Sequence, residues 1–393
     1  MDYDLIVVGA GPGGSTAARY AAENGARVLL LEKRDKIGYP VRCGEGIAPK
    51  WLEFSNIPID DYWISKKVKG AKIYSPNGSC LVVEDDNLGT EVGLVIDRVK
   101  FDQTVADLAV KAGAECRVGV FVKSLIIENN TVKGVEVTSN GIEEKISCNL
   151  VIGADGFESQ VGRWAGLNTL TKPSDSCGAL QYYLTNLNIN PNYCEFYLSK
   201  GSKGAYIWSF PKSKTESNVG IGCLMSRVHS PGEIKDLLDD FISNHPDFSK
   251  GTSINEMGGG VSLSPPLDKT IRQGIMLVGD AARHIDSITG GGIANACIAG
   301  MVAGKVAADS IKSKDYSEEF LETYEKGWRE LMEDRLYHSY VAKTKLSQVS
   351  PEMIDTVVAT MNRVGVAEPT VQSILSVLDE YHPDILKEVG EMI

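Results

Sequence analysis

Residues 3–33, YDLIVVGAGPGGSTAARYAAENGARVLLLEK, decide the fold of this chain. An apolar run from Leu5 to Val8 enters a G-x-G-x-x-G turn at Gly9, Gly11 and Gly14. An alanine-rich stretch follows, and a second apolar run from Val28 to Leu31 closes at Glu32. Strand, glycine turn, helix and strand in this order make a βαβ unit. Gly9 permits the tight turn, Gly11 lets backbone approach a pyrophosphate, and Gly14 allows the helix to pack closely on the strand. Pro12, Gly13 and Ser15 open that helix, whose N-terminus would face the phosphate charge. Glu32 stands about twenty residues on, where an acid takes a pair of ribose hydroxyls. The segment therefore reads as a dinucleotide-binding unit, with the choice between NAD and FAD left to the rest of the chain.

At 393 residues, two or three lobes are expected. Hydrophobic residues make up 43% and charged residues 23%, which is ordinary for a globular protein and excludes disorder. A net charge of -12 argues against a nucleic-acid partner, because phosphate neutralisation needs basic stripes. The eight cysteines, at 43, 80, 116, 148, 177, 194, 223 and 297, form no C-x-x-C pair and no cluster with histidine, so no metal is expected. DYDLIVVGAG enters a strand at once and lacks the regions of a signal peptide, which points to the cytoplasm. The apolar segment GGIANACIAGMVAGKVAADSI is interrupted by Asn295 and Lys305 and reads as a buried helix, not a membrane span.

Two further segments resemble parts of a nucleotide site. VIGADGFESQVGR, 151–163, is an apolar strand entering a Gly-Ala-Asp-Gly turn. GIMLVGDAARHIDSITGGGIANACIAG, 274–300, is a strand ending at Gly279 and Asp280, then a glycine-rich turn and a helix start. Asp280 can accept from a ribityl or ribose hydroxyl, and the bare amides around Gly291, Gly292 and Ile293 can face a pyrophosphate or an electron-rich ring. In this order the three segments resemble the FAD-binding motifs of the para-hydroxybenzoate hydroxylase superfamily. The resemblance implies FAD as the cofactor, Arg98 of LVIDRVKFDQTVADLAVKAGAE beside it, and Val122 of FVKSL near the adenine. Ser287 departs from that pattern, since many hydroxylases carry proline there.

Residues 66–90 alternate around a Pro-Asn-Gly turn and read as a hairpin. Four more strand-like runs fall between 177 and 226, so a second sheet draws on two distant segments. In one of them, GAYIWSFP, the rings of Tyr206, Trp208 and Phe210 recur at every second position and face one way. Something large and apolar must cover that face. PGEIKDLLDDFISNH, 231–245, reads as an amphipathic helix with Pro231 early in its first turn.

KIGYPVRCGEGI and YIWSFP together, with TGGGI in agreement, are similar to the geranylgeranyl reductase family and within it to the archaeal digeranylgeranylglycerophospholipid reductases. The resemblance implies hydride transfer from reduced FAD to an isolated alkene, with protonation of the other carbon, in a geranylgeranyl lipid. Tyr206, Trp208 and Phe210 then line a polyprenyl cavity. Arg42, Cys43, Gly44 and Gly46 lie beside the flavin, and Cys43, His284 and Asp286 are candidate proton sources. Val371 and Ile374, on an apolar helical stripe with Leu375 and Leu378, are candidates to close the cavity. The expected fold is α/β within an α+β whole: a Rossmann-like FAD lobe (1–65, 91–170, 265–310), an antiparallel-sheet lobe for substrate (66–90, 171–264) and a helical C-terminal segment (311–393). A peripheral membrane contact and an external electron donor are expected, the latter a ferredoxin, a deazaflavin or NAD(P)H. The rivals are an aromatic hydroxylase on the same FAD lobe and a flavin-free prenyl-binding module of the GDP-dissociation-inhibitor type.

Overall fold

The computed structural model describes residues 1–84, 93–198, 204–365 and 371–383, the side chains of the last stretch from 376 onward. One sheet has six strands, in the order Ile271–Arg272, Ile275–Leu277, Leu150–Gly153, Leu5–Val8, Val28–Leu31 and Glu115–Arg117. All neighbours are parallel except the first pair. Leu5–Val8, Val28–Leu31 and Leu150–Gly153 are buried along their whole length, as continuous apolar runs covered on both faces should be. Helices Pro12–Glu23 and Ile293–Ser313 pack side by side on one face, and helix Glu318–Leu346 adds Tyr324, Trp328 and Leu336 to the same core. A Cβ on Gly14 would stand 2.0 Å from the Gly9 carbonyl oxygen, so only glycine lets the first helix start this close to its strand.

The second sheet has seven strands, in the order Thr252–Ser262, Ser176–Thr185, Ser217–Leu224, Ile207–Pro211, Tyr193–Tyr197, Gly70–Tyr74 and Cys80–Glu84. Tyr193–Tyr197 runs parallel to Gly70–Tyr74, and this pairing joins the two distant segments. Helix Glu233–Asn244 lies against the Ser176–Thr185 and Ser217–Leu224 strands. Pro231 falls outside it, because Gly232, at φ +88°, takes the N-cap in a left-handed conformation. The hairpin is shorter than the alternation suggests. Ile64–Lys67 pairs instead with Leu94–Ile96, which also pairs with Gly46–Ile47 in a small third sheet. Residues 85–90 lie outside the described part.

Two strand groups give no clear sequence signal. Phe121–Glu128, Thr131–Ser139 and Ile142–Ser147 form an antiparallel sheet beside the six-stranded one. Thr252–Ser262 is an edge strand whose Met-Gly-Gly-Gly core reads as loop. Beyond the long helix, Pro351–Val364 and Val371–Tyr381 cover the hairpin, with Val358, Met361 and Val377 packed on Leu81 and Val83. Among the described residues no helix is long and apolar enough to cross a membrane.

Candidate functional site

One cavity of about 1470 Å³ runs from the glycine turn of the first strand to the C-terminal helices. That exceeds the roughly 300–1,000 Å³ of an ordinary ligand site and leaves room for two occupants. Gly9, Gly11, Pro12, Gly13, Gly14 and Glu32 wall one end, with Val122 beyond them. Space stands open where a Cβ on Gly11 would point, so backbone there can meet a ligand directly. Glu32 accepts from the Ala10 amide at 3.1 Å and the Arg34 amide at 3.0 Å, which fixes its carboxylate at the cavity wall. Ser15 is a correction: it is fully buried and its hydroxyl donates to the Ala10 carbonyl, so it holds the turn and does not face the cavity.

Further along, Asp280 and the turn Gly290–Ile293 line the cavity together, with Asp280 Oδ1 3.3 Å from the Cβ position of Gly292. Burial raises the Asp280 carboxyl above the usual carboxylate range, partly offset by Arg98. Among the described residues no side chain or amide donates to it, so it can receive a ligand hydroxyl. Arg98 also lines the cavity, with its guanidinium held by Asp102 at 3.0 and 2.9 Å and facing the Cys43 sulfur. Open backbone at Gly11, fixed Glu32 and unpartnered Asp280 suit the diphosphate, ribose and ribityl groups of FAD.

Cys43 and Gly44 sit on a loop that lines the cavity and enters strand Gly46–Ile47, and the aromatic strand presses on it. The Phe210 ring comes within 2.8 Å of the Cβ position of Gly44, and a Cβ on Gly220 would stand 2.3 Å from the Trp208 ring. Trp208 Nε1 donates to Gln181 Oε1 at 2.8 Å, and Gln181 Nε2 donates to the Cys43 carbonyl at 3.2 Å. Tyr206, just ahead of the strand, donates its hydroxyl to the Thr289 carbonyl of the glycine-rich turn. The cover over the three rings is thus this loop and the cavity, not a helix. Arg42 lines the cavity at its exposed edge, 3.4 Å from Glu158.

The candidate proton sources separate. His284 faces away from the cavity, fully buried against Trp328 at 4.5 Å, with no hydrogen-bond partner on either ring nitrogen among the described residues. Burial, aided by Arg329, pushes its pKa down to about 3, so the ring is neutral near pH 7 and does not serve as an acid there. Asp286 lines the cavity, but its Oδ1 accepts from the Ile288 amide, the Thr289 amide and the Thr289 hydroxyl at 3.0 to 3.1 Å, which makes it the brace of the turn. Cys43 is partly exposed to the cavity, and its sulfur accepts from the Glu45 amide at 3.2 Å. The side chains of Val371 and Ile374 lie outside the described ones, while Leu378 of the same helix lines the cavity.

Sequence reading missed Glu45. It is 3% exposed at φ +75°, and its carboxylate gathers the Arg98 amide at 2.8 Å, Asn218 Nδ2 at 2.5 Å and Lys212 Nζ at 2.5 Å. A carboxylate between two glycines is its only local signal; its partners come from a distant helix start and the second sheet.

Residues 175–261 match the model of the geranylgeranyl reductase catalytic domain, and residues 7–45 match that of an NAD(P)-binding Rossmann-like domain. A digeranylgeranylglycerophospholipid reductase of Thermoplasma volcanium is 43% identical over 393 residues, covering 100% of this chain and 99% of the relative. Digeranylgeranylglycerophospholipid reductase 1 of Methanococcoides burtonii is 45% identical over 363 residues, covering 92% and 88%. Among solved structures, a geranylgeranyl bacteriochlorophyll reductase-like protein from Thermoplasma acidophilum superposes with a TM-score of 0.94 at 43% identity, over 100% of this chain and 99% of that one. The flavin-dependent brominase Bmp2, at 16% identity and a TM-score of 0.72, shares the fold alone. Full-length identity at this level, over a cavity that joins a nucleotide cradle to an aromatic wall, establishes that the chain belongs to the digeranylgeranylglycerophospholipid reductase family.

Proposed function

We propose that the chain saturates the isoprenoid double bonds of geranylgeranyl chains in an archaeal-type ether phospholipid, as an FAD-dependent oxidoreductase. The observation that carries this reading is the continuity of one cavity from the Gly9–Gly14 cradle to the apolar wall of Ile73, Leu81, Val83, Ile354 and Val358. In this reading the lobe of 1–65, 91–170 and 265–310 holds FAD, the lobe of 66–90 and 171–264 holds the lipid, and 311–393 closes the cavity. Bound FAD, when reduced, supplies the hydride. Tyr206, Trp208 and Phe210 hold the chain by burial and keep water from the developing positive charge. Cys43 Sγ–H gives the proton to the second alkene carbon, and the negative sulfur left behind faces the Arg98 guanidinium. Glu45 holds the loop that carries Cys43. An external donor of the ferredoxin, deazaflavin or nicotinamide class renews the electrons.

The lipid enters from a membrane surface by a peripheral contact. Leu346, which lines the cavity, is 43% exposed, and Tyr337 and Met225 are 54% and 41% exposed. The test is anaerobic: the holoenzyme is reduced with dithionite and given digeranylgeranylglyceryl phosphate. Reoxidation of the flavin with a mass gain of two hydrogens per double bond is expected. A flavin that stays reduced in loaded enzyme, with no change in lipid mass, refutes the reading.

A further inference from the structure

We propose that the part of the cavity lined by Arg227, Lys343 and Lys345 binds the phosphate of the lipid headgroup, an assignment that rests on the lipid-reductase reading above. The cavity wall changes chemistry along its length. Glycines and Glu32 mark the nucleotide end, Gly290–Ile293 the flavin turn, and Ile73, Leu81, Val83, Ile354 and Val358 an apolar stretch suited to alkyl chains. An amphiphile in this cavity has to place its anionic group at a wall that answers the charge, and the cationic stretch is that wall.

Three separate elements build it. Arg227 stands on the one-turn helix Met225–Arg227 and donates to the Ser347 carbonyl just beyond the long helix. Lys343 is 7% exposed, with Nζ 2.8 Å from Asp175 Oδ1, and the Asp175 turn packs against the Met225–Arg227 turn. Lys345, partly exposed, forms no ion pair with a described residue. All three cations line the cavity, on a chain whose net charge is -12. Lysines in a last helical turn also offset the helix dipole. Dipole compensation does not account for Arg227, which comes from another lobe, lines the same cavity and is tied to the residue after the helix.

The site also sets a length. Arg335, ten residues before Lys345 on the same helix, lies 4.0 Å from Asp286 of the flavin turn. The phosphate is then held about 15 Å along the helix from that turn. A fixed anchor of this kind determines which double bonds reach the turn first.

The experiment uses anaerobic holoenzyme with reduced flavin and two lipids, digeranylgeranylglyceryl phosphate and digeranylgeranylglycerol. Wild type should show a KM about tenfold or more lower for the phosphate. Lys345→Glu and Arg227→Gln should bring the KM ratio toward one and scramble the order in which double bonds are saturated. Flavin content checks that each variant is folded, and Lys345→Glu stands in if loss of the Ser347 tether unfolds Arg227→Gln. Equal KM for both lipids in wild type, or an equal loss on both in the variants, overturns the headgroup site while leaving the reductase reading intact. Turnover of neither lipid overturns that reading and the site with it. Inorganic phosphate added with digeranylgeranylglycerol separates the sources of anion: a response in wild type that Lys345→Glu lacks would assign the site to free phosphate and overturn the headgroup assignment.

Discussion

Two carboxylates line the cavity, and one imidazole, His284, is buried away from it. Glu32 and Asp280 line separate parts of the cavity, and in the proposed reading each holds FAD, so Glu32→Ala and Asp280→Ala should each weaken FAD binding by about 1.5–3 kcal/mol. Flavin retained after dilution and gel filtration measures this, and full occupancy in both variants would remove the assignment. His284 gives a prediction of opposite kind. Its folded pKa of about 3 lies below the ordinary 6.5, so between those values the unfolded chain binds a proton that the folded chain does not. Stability from this residue is complete above pH 6.5 and is lost as pH falls toward 3, by on the order of 4 kcal/mol. Denaturant titrations of His284→Leu should therefore show a flatter acid limb than wild type. An acid limb identical in slope would show that His284 does not carry this dependence. Glu45 shows why the site was only partly legible. The G-x-G-x-x-G turn, Glu32 and Asp280 announce themselves through neighbours within one βα unit. Glu45 draws its meaning from Asn218, 173 residues away, and no local pattern encodes that.

Among the elements, the aromatic strand and the cysteine loop act as one. Gly220 opposes Trp208 across the strand pair, and its missing side chain is what admits the indole. Gly220→Ala should push the indole toward the cavity and disturb Gln181 and the Cys43 carbonyl. Such overpacking costs about 1–3 kcal/mol of stability. A misplaced loop should cost about tenfold or more in lipid turnover, since reacting groups tolerate little displacement. Thermal melts beside reduction kinetics give the comparison; turnover equal to wild type would separate the strand from the chemistry. Period-two alternation made this strand readable, and continuous apolar runs did the same for the buried parallel strands. Thr252–Ser262 was not readable, because three glycines in an edge strand carry no side-chain pattern, and its place is set by backbone pairing to Ser176–Thr185.

For the whole molecule, an acidic chain with the exposed Leu346 at its cavity wall should visit bilayers through burial and not through charge. Flotation with zwitterionic liposomes should recover enzyme at low and at high salt. Recovery confined to cationic liposomes and lost in salt would assign the contact to net charge. The joining of distant strands carries a further consequence, for synthesis. Gly70–Tyr74 finds Cys80–Glu84 at once but leaves the ribosome 123 residues ahead of its parallel partner Tyr193–Tyr197, and the nucleotide sheet waits for Ile275–Leu277. The seven-stranded sheet has all its strands by Ser262, whereas the nucleotide sheet, begun first, is completed last. Nascent chains stalled near residue 250 should stay open to protease, while chains extended past the long helix should become resistant in a single step. A pause in translation before Ile275–Leu277 emerges should leave the apolar strands of the nucleotide sheet open at one edge and prone to aggregation.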